Sequence, residues 1–225
     1  IANARMPEIT ANQSGALCKA VAEQYAKVEQ RIPHPMIVRG NRNKRQIALT
    51  FDDGPHPGKT ERLLEILHHE NVKATFFTVG TMVERSPGLV RMISSEGHEL
   101  ANHTYSHRRL PTLSQSEVEK EIRLGAAALQ AVTGVAPRLY RPPGGEYDNR
   151  ITKIGRTLGQ VMVLWTDDPA DFALPGSQKI LHRTLSKTSN GSIILLHDGI
   201  DQTMEILPEL IHTLRARGYT FVTCS

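Results

Sequence analysis

The chain has 225 residues, 39% of them hydrophobic and 22% charged, a balance that suits one domain with a sizeable core and excludes a disordered or fibrous chain. Its formal charge of +4 is spread along the sequence and only 5% of residues are aromatic, so the interleaved basic and aromatic clusters of a nucleic-acid surface are missing. No apolar run reaches the length of a membrane span, and the basic balance is compatible with a weak attraction to an anionic polymer such as a bacterial cell wall.

The sequence opens on Ile1 with no basic-then-apolar segment after it. That is the pattern of a processed chain, and export (to a periplasm, a cell wall or the medium) is the expectation. Residues 1–45 read as a helical N-terminal extension and 46–225 as the main domain. Leu17, Val21, Tyr25 and Val28 recur at spacings of three and four, which predicts an amphipathic helix over 15–29. Pro33 and Pro35 stop it, and Gly40-Asn41-Arg42-Asn43 is a polar connector. Cys18 and Cys224 lie near opposite ends with no C-x-x-C, which argues against a zinc-thiolate site. In an exported protein they can pair as a disulfide; two buried free thiols fit equally well.

From Gln46 onward, short apolar runs alternate with helical periods. Strands are expected over 46–51, 74–79, 99–101, 139–140, 161–165, 192–196 and 220–222. Helices are expected over 60–70, 88–95, 114–132, 151–158, 178–186 and 206–217, the last interrupted near its start by Pro208. Ser114 and Glu117 form a capping-box pattern and Gly134 a stop signal. The recurrent order predicts an α/β domain with a mainly parallel sheet. No glycine-rich phosphate loop is present, so nucleotide binding has no support.

In parallel barrels, site residues gather where strands end. Polar residues that interrupt the apolar pattern do follow strands here: Asp52-Asp53, His103, Arg141, Asp171 and His197. Asp52 and Asp53 stand together before the Gly54-Pro55 turn. Burying two adjacent carboxylates raises both pKa values, and a metal ion paired with one relieves that cost. His103 and His107, four residues apart, share a face if the segment is one helical turn, a spacing that suits two nitrogens on one metal. Two His with one Asp leave coordination open for water, as catalytic zinc requires. Arg141-Pro142-Pro143-Gly144-Gly145 offers an Arg that can orient a carboxylate and bare backbone N–H groups for a developing oxyanion. Trp165 to Phe172 is a second acidic loop, and His197 at the end of the most apolar strand is a candidate general acid.

The ordered set Thr50-Phe51-Asp52-Asp53-Gly54-Pro55, His103-Thr104-x-x-His107, Arg141-Pro142-Pro143-x-Gly145, Asp171 after the Trp165 strand, and Leu195-Leu196-His197 resembles the polysaccharide deacetylases of carbohydrate esterase family four. The resemblance spans Gln46 to the C-terminus. It implies a distorted (β/α) barrel and one divalent metal, zinc first and cobalt second. It also implies removal of acetyl groups from an acetylated amino-sugar polymer, peptidoglycan ahead of chitin oligomers. Acetylxylan O-deacetylation, or a non-catalytic carbohydrate-binding module on the same scaffold, are the alternatives. By position, the resemblance makes Asp52 the general base, and Asp53, His103 and His107 the metal ligands. It has Arg141 tune Asp52 and Asp171 pair with the general acid His197. Leu195 lines the pocket for the acetate methyl, Trp165 and Phe172 are further substrate-binding residues, and Gly144 supplies an oxyanion N–H. Gly144 stands where the family often has Tyr, and Phe172 where Trp commonly follows the motif Asp; both imply a more open groove.

Overall fold

The computed structural model describes residues 36–225. The helix expected over 15–29, and Cys18, lie outside the described residues. Cys224 carries a free thiol, pushed up to about 11 by burial.

The sheet is built around strand β2 (Gln46–Asp52). Around it run β3 (Thr75–Thr78), β4 (Glu99–Asn102), β5 (Leu139–Tyr140), β6 (Val161–Val163) and β7 (Ile193–His197), with short edge strands β1 (Met36–Ile37) and β8 (Thr220–Phe221). The order is β1-β6-β5-β4-β3-β2-β7, and β8 pairs with the start of β2. Each of these ladders is parallel. Just past β6, the Thr166 N–H donates to the Ile193 carbonyl at 2.9 Å and the Leu195 N–H to the Asp167 carbonyl at 2.9 Å. These bonds join β6 to β7 and curl the sheet into a distorted barrel. Covering it are α1 (Thr60–His69), α2 (Gly80–Arg85), α3 (Pro87–Ser95), α4 (Gln115–Thr133), α5 (Asn149–Thr157), α6 (Ser177–Lys187) and α7 (Asp201–Ala216).

Strand alternation divides two apolar layers. Ile47, Leu49 and Phe51 of β2, with Ile194 and Leu196 of β7, pack outward with Leu63, Leu67, Leu207 and Leu210 of α1 and α7. Ala48, Phe77, Ala101, Leu139, Val163 and Ile193 share the inner layer. Counting in twos along each strand from that inner set reaches Asp52, His103, Arg141, Trp165 and His197. One parity rule therefore delivers five polar or amphipathic side chains to the same end of the barrel.

Three expectations change. The sequence draws the extension through residue 45, yet Met36–Ile37 pairs with β6 and the Gly40 N–H donates to the Gly191 carbonyl at 2.8 Å, so 36–45 belongs to the barrel edge. The last helix begins at Asp201 and carries Pro208 inside it, because Met204, Ile206 and Leu207 before or beside the proline are all buried. Helix α2, too short to show a helical period, has no signal in the sequence. The capping box does form: Ser114 accepts from the Glu117 N–H, and Gly134 closes α4 at φ 75.

Candidate active site

Arg141 is wholly buried and its guanidinium holds the inner face together. Nε donates to the Val163 carbonyl at 3.1 Å, Nη2 to the Leu164 carbonyl at 3.1 Å, and Nη1 to Thr50 Oγ1 at 2.9 Å. Nη1 also pairs with Asp52 Oδ1 at 2.6 Å. The Phe77 ring lies 3.9 Å beneath the guanidinium carbon. Four bonds in a fixed fork make this a site for Arg and not Lys. Asp52 is thereby oriented with Oδ2 left facing His103 Nε2 at 3.6 Å.

Asp53 has the opposite parity to Asp52 and would point away from the barrel in a regular strand. A left-handed φ of 73 turns it back. The Gly54 that follows is needed for space: an added Cβ would overlap the buried carboxylate of Asp198. His103 and His107 do not share a helical turn, contrary to the expectation. They sit on a loop after β4 whose Thr104 and His107 have φ of 66 and 58, and this double reversal sets the rings 5.0 Å apart. His107 N–H donates to Thr104 Oγ1 at 3.2 Å, closing the reversal.

The histidine tautomer follows from one contact. His103 Nδ1 lies 2.8 Å from the Arg141 carbonyl, which can only accept, so Nδ1 carries the proton and Nε2 presents its lone pair. Asp53 Oδ1 is 3.4 Å from His103 Nε2 and 3.1 Å from His107 Nε2, and it is buried with no hydrogen-bond donor of its own. One ligand atom from each of the three residues lies within 4.8 Å of the others. Lone pairs this close need a proton or a cation among them. Burial pushes the Asp53 carboxyl up, but the two imidazoles outweigh it and hold it well below the usual carboxylate range. His107 is raised in return by the Asp53 carboxylate beside it. Two imidazoles and a carboxylate fit a zinc-type cation with open positions.

Opposite stands His197. Its Nδ1 bonds Asp171 Oδ1 at 2.7 Å, and its backbone N–H donates to Asp171 Oδ2 at 2.8 Å. Thr203 Oγ1, at the start of α7, donates to the same Oδ2 at 2.6 Å. Burial lowers the His197 pKa, but the Asp171 carboxylate more than offsets this and the net shift is upward. Of the acidic loop, only Asp171 reaches His197; Asp167 accepts from Thr166 Oγ1 and Asp168 from the Ala170 N–H. Phe172 is 57% exposed with its ring edge-on to His197 at 5.5 Å, so it walls the imidazole from the solvent side. Leu195 is buried two residues before His197 on the inner face. Trp165 lies under the Pro-Pro turn: a Cβ on Gly145 would strike its ring, and the Arg141 guanidinium stands 5.5 Å from it. Gly144, exposed at φ 63, has open space where a side chain would be, its nearest neighbour Glu146 Cγ at 3.8 Å.

Thr50 and Thr104 stand inside the quoted motifs with no role of their own, and Thr203 is not singled out by sequence reasoning. Their signal is weak, because a threonine in a strand or helix start has an ordinary structural use. Only their partners reveal them: Arg141 for Thr50, Asp171 for Thr203, and the nearby His107 N–H for Thr104.

Known proteins point the same way. A model of the polysaccharide deacetylase family matches residues 39–163. A peptidoglycan-N-acetylglucosamine deacetylase of Bacillus cereus is 38% identical over 188 residues, covering 81% of this chain and 88% of that protein. A chitooligosaccharide deacetylase of a Bradyrhizobium species is 37% identical over 190 residues, covering 78% and 87%. Among solved structures, a peptidoglycan N-acetylglucosamine deacetylase in complex with an N-hydroxylated benzamide superposes with a TM-score of 0.82 at 33% identity, covering 85% of this chain and 91% of the other. A family-four pseudoenzyme from Bacillus anthracis superposes with a TM-score of 0.81 at 31% identity, covering 84% and 67%.

Proposed function

Because the chain belongs to the polysaccharide deacetylase family, we propose that it removes N-acetyl groups from N-acetylglucosamine residues of a polysaccharide, peptidoglycan first and chitin oligomers second. The observation that carries this reading is the convergence of a fixed carboxylate, a three-residue ligand set and an Asp-supported imidazole at one barrel end. A divalent cation, zinc with cobalt as a substitute, would be held by Asp53, His103 and His107, and when bound it would polarise the acetyl carbonyl and the attacking water.

Asp52 acts as the base. Its Oδ1 is held by Arg141, so Oδ2 is the oxygen left to take the water's proton as the water oxygen bonds to the acetyl carbon. The Gly144 N–H donates to the carbonyl oxygen as negative charge builds there. His197 is the acid: with Nδ1 on Asp171, its Nε2 proton goes to the sugar nitrogen as the carbon–nitrogen bond breaks. Leu195 and Trp165 wall the acetyl methyl, and Phe172 excludes water from the imidazole. The open space at Gly144 leaves room for a substituted sugar chain. A peptidoglycan substrate requires an exported chain, and export is part of the proposal.

The experiment is an acetate-release screen on peptidoglycan, chitin oligomers and acetylxylan. Release from the N-acetylglucosamine polymers is expected. Release from acetylxylan alone would make the protein an O-deacetylase. No release from any, with the polymers still bound, would make it a binding module, the condition its likeness to a pseudoenzyme raises.

A further inference from the structure

Outside the cleft, one buried carboxylate bonds nothing on its own helix. Glu121 of α4 is 7% exposed. Its Oε2 accepts from the Tyr105 N–H at 3.1 Å and the Ser106 N–H at 2.8 Å. Its Oε1 accepts from Ser106 Oγ at 2.6 Å. These donors lie on the loop between His103 and His107. The loop's carbonyls are held from the other side, where the first N–H groups of α2 reach it: Gly80 donates to the Thr104 carbonyl and Thr81 to the Tyr105 carbonyl, both at 2.9 Å. The loop is thus clamped between a carboxylate and a helix N-terminus, donors to one and acceptors to the other. Helix α4 approaches closely enough that a Cβ on Gly125 would meet the Thr104 carbonyl carbon at 2.7 Å and its oxygen at 2.8 Å.

We propose that Glu121 is a positioning residue for the metal site: it holds the strained Thr104–His107 reversal in the shape that points both imidazoles at Asp53. The loop carries two non-glycine residues at positive φ, a conformation that persists only where its surroundings over-determine it. Two backbone N–H groups, on half-buried Tyr105 and exposed Ser106, meet this carboxylate only in this shape. Glu121 bonds none of the three ligands, and it acts on His107 through the two residues before it. The inference rests on the reading of Asp53, His103 and His107 as ligands.

The test is zinc affinity, measured by competition with a chromophoric chelator on the full chain. Partners that orient ligands are worth roughly 10- to 100-fold in metal affinity, and Glu121→Ala is expected to weaken zinc binding by that factor. Glu121→Gln keeps acceptors for both N–H groups and Ser106 Oγ can turn to receive its amide, so it should bind within about threefold of the parent. Leu129→Ala, a buried apolar truncation on the same helix away from the loop, serves as the stability control. It should lower the melting temperature and leave zinc affinity unchanged. Glu121→Asp withdraws the carboxylate by one methylene and gives a milder weakening should the alanine variant fail to fold. Parent-like affinity in Glu121→Ala or Glu121→Asp would overturn the proposal. So would equal weakening in Leu129→Ala. A parent that binds no zinc would instead overturn the ligand reading, and this inference with it.

Discussion

Replacing Arg141 by Met isolates what holds Asp52, the proposed base, in place. The guanidinium is the only cation bonded to Asp52 among the described residues, and Asp52 itself is 3% exposed. Breaking a buried ion pair from one side costs about 3–5 kcal/mol, because the other charge is left buried. The Val163 and Leu164 carbonyls and Thr50 Oγ1 also lose a donor, at about 1 kcal/mol or less each, since Met still fills much of the volume. Arg141→Met should therefore lower the unfolding free energy by about 5 kcal/mol, a large part of the 5–15 kcal/mol typical of a domain. In an Asp52→Asn background the guanidinium is itself buried without its carboxylate, so the same substitution loses the other hydrogen bonds but relieves an unpaired charge, and should cost about 2 kcal/mol at most. The difference, at least about 3 kcal/mol, is the coupling between the two side chains. Urea denaturation of the four proteins in chelator, so that no added cation neutralises Asp52, measures it. A coupling below about 0.5 kcal/mol would refute the view that Arg141 acts on the base through charge in a buried setting.

The His197 imidazole must be protonated to act as an acid, so kcat should fall as pH rises through its raised pKa; Asp171→Asn removes the raising charge and should move that limb to lower pH, and an unmoved limb would contradict the pairing. Burial pushes Asp198 up to about 6 from an ordinary value near 3.8, so its contribution to stability is complete below the lower value and lost as pH rises through the upper one. The unfolding free energy should drop by about 3 kcal/mol across that window, and Asp198→Asn should lack this drop in pH-dependent melts. Gly125→Ala gains about 1 kcal/mol of helix propensity but drives a Cβ into the Thr104 backbone; the overpacking should win, giving a less stable protein with weaker zinc binding, and a more stable one would contradict the close approach.

Much of the cleft was legible because strand parity is a property of sequence. Asp52, Arg141 and His197 each stand an even number of residues from an inner apolar residue of their own strand, and the turn residues mark where each strand ends. Asp53 and His107 were legible as residue types but not as geometry. What brings them to the centre is positive φ at Asp53, Thr104 and His107, and no propensity predicts that for a non-glycine residue. Glu121, Thr203 and Asp198 were hidden for another reason. A glutamate on a helix or a threonine at its start is ordinary until the partner arrives from 15 or more residues away, as with Ser106 and Glu121. Gly54 was read as a turn signal; its place is fixed by the carboxylate packed against it.

Bound zinc and acetate release, measured side by side on Asp52→Asn and His103→Ala, test the division of labour most directly. The expected result is that Asp52→Asn retains about one zinc per chain and loses on the order of 10²–10⁴ in rate, whereas His103→Ala retains neither metal nor turnover. Full activity in Asp52→Asn, or undiminished zinc in His103→Ala, would contradict the account.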